Sequence, residues 1–139
     1  EYHDANLLVT LLSYSGRGDL VKHFERVPIR DIMKRDSAQL KAIRAIRTAG
    51  LTSPSQAMEA ADKMIRDDEL TAITLHSDGY ANDPSANSEA KALERLCDSW
   101  SQKAVFVNTI AYSDWSDFRL LARIANAASG TCLKAGSIK

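Results

Sequence analysis

LTAITLHSDGYAND, residues 70–83, decides how this chain is read. Its first part, 71–77, is mostly β-branched or apolar and contains no breaker. It stops abruptly at Asp78-Gly79, and a polar loop with Asn82, Asp83 and Pro84 follows. A short apolar run bounded by turn residues predicts a strand buried on both faces of a sheet. An acid at the carboxyl end of such a strand stands where open α/β sheets bind ligands. An Asp-Gly pair is by itself an ordinary turn signal, so its meaning depends on what surrounds it.

Upstream, residues 6–14 (NLLVTLLSY) predict a second buried strand, and residues 15–19 (SGRGD) a turn. Residues 20–27 mix Val21, Phe24 and Val27 with Lys22, His23, Glu25 and Arg26, the pattern of a half-exposed edge strand antiparallel to the one before. Pro28 ends it. Ser37 is an N-cap for a helix carrying Leu40, Ile43 and Ile46, with Gly50 as its stop signal. Ser53 and Gln56 have capping-box spacing, and Pro54 suits the first position of the next helix. Ala57, Met58, Ala61, Met64 and Ile65 form its apolar stripe.

Downstream, residues 88–100 predict a helix through Leu93, Leu96, Cys97 and Trp100. Residues 104–111 (AVFVNTIA) predict another buried strand. Ser116 is placed to cap a helix with Phe118, Leu121, Ala125 and Ala128, Gly130 to stop it, and residues 131–135 to form a last strand. After the opening hairpin, helices and strands alternate. That order predicts an α/β fold: a doubly wound, mostly parallel, Rossmann-like sheet with one antiparallel edge strand and helices on both faces.

Composition narrows the function classes. The 139 residues suit one domain, and 18 basic against 18 acidic residues leave no net charge to draw nucleic acid or an anionic membrane. No apolar run is long enough to insert in a membrane. Cys97 and Cys132 have no metal-ligand spacing and make no disulfide framework. They favour a reducing, cytoplasmic setting, although a disulfide-poor secreted domain has the same composition. The chain opens on Glu1 without a signal-peptide pattern, so a longer parent chain is expected.

Several segments together resemble one family. Residues 8–24, with their SYSG turn, look like the hairpin of a von Willebrand factor type A domain. Gly50-Leu51-Thr52-Ser53-Pro54 with Ala57 and Ala61 resembles that family's GGT-P-A-A segment. ITLHSDG is similar to its TDG strand end, with Ser77 in place of the threonine. Asn108 to Ser113, then Leu121, Ile124-Ala125 and Ser129-Gly130, resemble its last strand-loop-helix. The resemblance spans nearly the whole chain in the right order. It implies a single domain, incomplete at both ends, that binds a protein partner at the sheet's carboxyl edge without catalysis.

It also implies a magnesium ion, or another divalent cation, held by hydroxyls and carboxylates from three loops. Thr52 matches the family's second-loop ligand and Asp78 its third. Mg²⁺ wants an octahedron of oxygens, and a vacant position accepts a carboxylate from the partner. The D-x-S-x-S loop of the family occurs nowhere; Leu11, Ser13 and Ser15 keep its serines without its acid. Either that loop and the central first strand lie outside residues 1–139, or the site is degenerate and the scaffold binds without metal. On the first reading, residues 7–14 and 71–77 do not pair directly, and a further strand stands between them. Unpaired buried backbone there costs ~1–3 kcal/mol per hydrogen bond, so another segment is expected to fill the place.

Other motifs weigh less. His76 reads as a core or rim histidine, because Mg²⁺ prefers oxygen. Arg17-Gly18-Asp19 spells an integrin-recognition tripeptide, but Gly-rich turns draw on few residue types. Asp114, Trp115 and Asp117 rim the same edge or favour a helix N-terminus. An enzyme of unknown class on a doubly wound fold is the remaining alternative. Against it stand the missing phosphate loop, the missing G-x-S-x-G and the lack of a telling Cys/His spacing.

Overall fold

A computed structural model describes residues 6–47, 50–78 and 80–135. Two small sheets organise it. β1 (Leu8–Ser13) and β2 (Val21–Pro28) form an antiparallel hairpin. β3 (Thr71–Ser77), β4 (Val105–Ala111) and β5 (Cys132–Lys134) form a parallel sheet in that order. Between them in sequence come α1 (Ile29–Ile32), α2 (Ala38–Ala45) and α3 (Pro54–Asp62). α4 (Ala86–Trp100) joins β3 to β4, and α5 (Phe118–Ala127) joins β4 to β5.

The architecture is α/β, but with a three-stranded parallel sheet and a separate antiparallel hairpin in place of one sheet with an antiparallel edge strand, and β3 has the bounds its sequence predicts. α1 was not foreseen: Pro28 closes β2 and stands at the start of this single turn. Ser37 does cap α2, its hydroxyl accepting from the Leu40 amide. The helix is over by Ile46, so Gly50 is not its immediate stop, and residues 48–49 lie outside those described. Asp117 rather than Ser116 caps α5, accepting from the Leu120 amide. Gly79, the partner of Asp78 in the turn signal, also lies outside the described residues.

α3, α4 and α5 lie side by side on one face of the parallel sheet. The core between them holds Met58, Leu75, Leu93, Cys97, Trp100, Val107, Leu121 and Ile124. Gly130 follows α5 where the chain passes against β4; a Cβ there would lie 1.9 Å from the Val107 carbonyl oxygen. No side chain fits.

Burial departs from the two-faced expectation. β3 alternates: Leu75 and Ser77 are buried towards the helices, while Ala72, Thr74 and His76 are exposed. β4 repeats this, with Val105, Val107, Thr109 and Ala111 buried and Phe106 exposed. Among the described residues the second face carries no helix. β1 has no buried residue at all, despite its unbroken apolar sequence. An apolar run identifies a strand but not how many layers cover it.

β1 and β3 share no ladder: each is an edge of its own sheet among the described residues. The direct pairing of residues 7–14 with 71–77 that would have refuted an intervening strand is therefore absent among the described residues.

Candidate functional site

The carboxyl ends of β3 and β4 meet the β1–β2 turn and the loop before α3 at one rim. Four loops are tied together there. The Ser53 amide donates to the Ser15 carbonyl at 2.8 Å. Gln56 Nε2 donates to the Gly16 carbonyl at 2.6 Å, and its Oε1 accepts from the Gly18 amide at 2.9 Å. The Arg17 amide donates to the Asp83 carboxylate. Thr52 and Asn82 exchange two bonds, each 2.9 Å: Thr52 N–H to Asn82 Oδ1, and Asn82 N–H to the Thr52 carbonyl. Ser113 Oγ donates to the Asp78 carbonyl at 2.6 Å, and Ser116 Oγ to the Ser77 carbonyl at 2.9 Å. Ser116 was expected as a helix cap; it instead pins the loop after β4 to the end of β3.

Beneath the rim sits Glu89, 0% exposed. Its carboxylate accepts from Ser53 Oγ at 2.9 Å, Ser55 Oγ at 2.7 Å and the Ser55 amide at 2.8 Å. Arg17 Nη2 stands 3.8 Å away and donates to Ser55 Oγ at 3.3 Å. Buried charge is tolerated only when paired and hydrogen-bonded, and this one is both. The carboxylate lies at the N-terminus of α3, where free amides and the helix dipole favour an anion. It does the work expected of the Ser53–Gln56 capping box. Ser53 makes no side-chain cap bond, because its hydroxyl serves Glu89, and Gln56 serves the hairpin turn.

Thr52 and Asp78 lie on loops of this rim, Thr52 half-buried and Asp78 exposed. Both carry hard oxygens, the donor type Mg²⁺ takes. Two residues fall short of an octahedron, and among the described residues no three His, Cys, Asp or Glu side chains gather as a metal cluster.

His76 is not a core residue; it is exposed, one residue before the end of β3. Its ring stacks on Tyr112, centroids 5.4 Å apart, with Nδ1 2.8 Å from the Tyr112 hydroxyl. Partial burial holds its imidazole below the ordinary value. Tyr80, Tyr112 and above all Trp115, 77% exposed, stand out from the loops, and Phe118 is exposed at the start of α5. Lys134 bonds Asp114 at 2.7 Å and holds its carboxyl below the usual range. The integrin-like tripeptide is exposed, with Arg17 donating to Ser55 Oγ and Asp19 accepting from the Ser15 hydroxyl.

The arrangement nearest to catalytic machinery is Ser13 Oγ, 2.7 Å from His23 Nε2 across the hairpin. Among the described residues no carboxylate orients that histidine, and the pair lies on the strands rather than in the rim.

Glu89 and Ser55 were not singled out from sequence, Gln56 only as half of a capping box and Arg17 only as part of the integrin-like tripeptide. Glu89 left one signal: it falls on the same helical stripe as Leu93, Cys97 and Trp100, where a charge demands a buried partner. The chain matches no protein-family model and no curated protein.

Proposed function

We propose that this chain is a non-catalytic protein-binding module, of the von Willebrand factor type A kind, that meets its partner on the carboxyl rim. The observation that carries this is the rim's construction. Four loops are braced by mutual hydrogen bonds over a buried carboxylate, while aromatic and acidic side chains project outward. Such rigidity limits the ordering cost of association, and exposed Trp and Tyr are the residues that most often dominate interfaces.

In the metal-dependent form, the Thr52 hydroxyl and Asp78 carboxylate hold Mg²⁺, and the remaining oxygens come from water and from a loop outside residues 1–139. The ion then supplies a position for the partner's acidic side chain. Calorimetric titration with Mg²⁺ tests this: binding is expected in the parent and lost in Asp78→Ala. Equal heats in both sink the metal site.

The exposure of Trp115 favours a metal-independent scaffold as the second reading. In that case partner capture survives EDTA but not Trp115→Ala.

A further inference from the structure

The chain is neutral overall, but its charge is not evenly spread. Residues 29–47 hold six of the 18 basic residues and two of the 18 acidic ones, so the rest of the chain is acidic. All six basic side chains, on Arg30, Lys34, Arg35, Lys41, Arg44 and Arg47, belong to exposed residues. Asp31 is paired with Lys34 at 2.6 Å, whereas Asp36 comes no closer than 3.9 Å to Arg35. Among the described residues no carboxylate lies within 4.0 Å of Arg30, Lys41, Arg44 or Arg47. From Ser37 to Met58 the sequence contains no acid. The aspartates of the rim lie elsewhere: Pro28, which leads into α1, pairs with Leu8 at the end of the hairpin away from the rim.

α2 shows how this surface is built. It packs beside α1 on β2, yet none of its residues is buried. With about 3.6 residues per turn, Gln39 and Ala42 share one side of the helix. Both are half-buried, as is Ile46 just past its end. The opposite arc runs through Ile43, Leu40, Arg44 and Lys41. Ile43 is 40% exposed, and Arg44 and Lys41 are exposed beside it. Met33, at the end of α1, is 70% exposed. Arg47 donates to the Arg44 and Ile46 carbonyls, adding its charge at the helix end. An isolated helix this short is marginal in water, and covering its apolar side is what stabilises it. Here part of that side is left uncovered and lies among cations.

We propose that α1 and α2 form a docking surface for an anionic lipid bilayer, with α2 lying in the plane of the headgroups. Lys41 and Arg44 meet the lipid anions, Arg30, Lys34 and Arg35 add to the attracting field, and Ile43 and Met33 enter the boundary with the acyl chains. The mixture selects the occupant. Nucleic acid matches the charges but offers Ile43 and Met33 only phosphate and water. No Phe, Trp or Tyr occurs between Phe24 and Tyr80 to stack on bases. A bilayer satisfies both kinds of side chain. The attachment is peripheral: among the described residues no helix is long and apolar enough to cross a membrane. It is independent of what the rim binds.

The test is co-sedimentation of the 139-residue chain with vesicles of phosphatidylcholine, alone or with about 30% phosphatidylserine. Binding is expected only to the anionic vesicles, and it is expected to fall away as salt rises to about 0.5 M. Lys41→Gln with Arg44→Gln is expected to weaken it at least about 10-fold. Lys91→Gln with Arg95→Gln makes the same change of net charge at two exposed positions of α4 and is expected to cost less than about 3-fold. Met33→Ser with Ile43→Ser keeps every charge and is expected to weaken binding about 5-fold or more. Circular dichroism confirms that each variant folds. Equal binding to both kinds of vesicle, or equal losses from the α2 and α4 pairs, overturns the docking surface. Capture by duplex DNA or polyglutamate in place of the vesicles overturns the bilayer as its occupant. Full binding by the serine variant overturns the seating of Met33 and Ile43. Asp78→Ala and Trp115→Ala are expected to leave vesicle binding unchanged, and its loss in either would move the contact to the rim.

Discussion

The Tyr14 hydroxyl lies 2.8 Å from the His76 carbonyl, although the strands that carry them share no backbone hydrogen bond. Burial pushes the Tyr14 phenol above its ordinary value, so it stays a donor across the physiological range. Tyr14→Phe is expected to lower stability by about 1 kcal/mol. Urea denaturation measures this, and a change below about 0.3 kcal/mol on that scale would show the bond to be idle.

Glu89 is expected to matter more. Glu89→Ala removes the anion that holds Ser53, Ser55 and the start of α3, and leaves Arg17 without its buried partner. The expected loss is about 3–5 kcal/mol, against less for Glu89→Gln, which keeps one acceptor oxygen. Equal losses in the two variants, read from chemical denaturation, would mean that the charge, which both remove, rather than the shape, which Glu89→Gln keeps, is what the site needs.

His76 gives stability a sign with pH. Its folded value is held below the unfolded one, so the unfolded chain binds more protons near the ordinary histidine range. Its contribution is complete above the unfolded value and is lost as pH falls through it towards the folded value. His76→Gln is expected to flatten the decline in melting temperature between about pH 7 and 5. A parallel decline in both proteins would remove His76 from the explanation.

Gly130→Ala puts a Cβ against the Val107 carbonyl, which belongs to the middle strand of the sheet and has no room to retreat. The cost is expected at or above the upper end of overpacking, about 3 kcal/mol. Thermal melts read it directly, and a melting point within a degree or two of the parent would contradict the packing described.

Trp115→Ala separates binding from folding. At 77% exposure the side chain adds little to stability, so the change should stay within about 0.5 kcal/mol. Loss of partner affinity of about 2 kcal/mol or more is expected if the rim is the interface. Surface plasmon resonance against the captured partner, beside a melt of the same variant, gives both numbers.

Local chemistry made part of this legible in advance. Thr71–Ser77 reads as a strand because a mostly β-branched or apolar run reaches a turn with no breaker, and Pro54 starts α3 because its missing amide is unneeded at that position. The rim was legible only as an address, through Thr52 and Asp78. Its working parts were not. Ser53 and Gln56 have capping-box spacing but give their side chains to residues 36 and 40 positions away. A serine forms whichever bond its surroundings complete, and sequence spacing does not record those surroundings.

By itself the sequence determined the alternation of strands and helices and the parallel connections, because each depends on residues within one or two turns of each other. Only the tertiary structure decided that Glu89 becomes the anchor of α3 and that, among the described residues, helices cover β3 and β4 on a single face. Those outcomes depend on which surfaces meet across the fold, and hydrophobic attraction, being non-directional, leaves that choice to the packing of the whole.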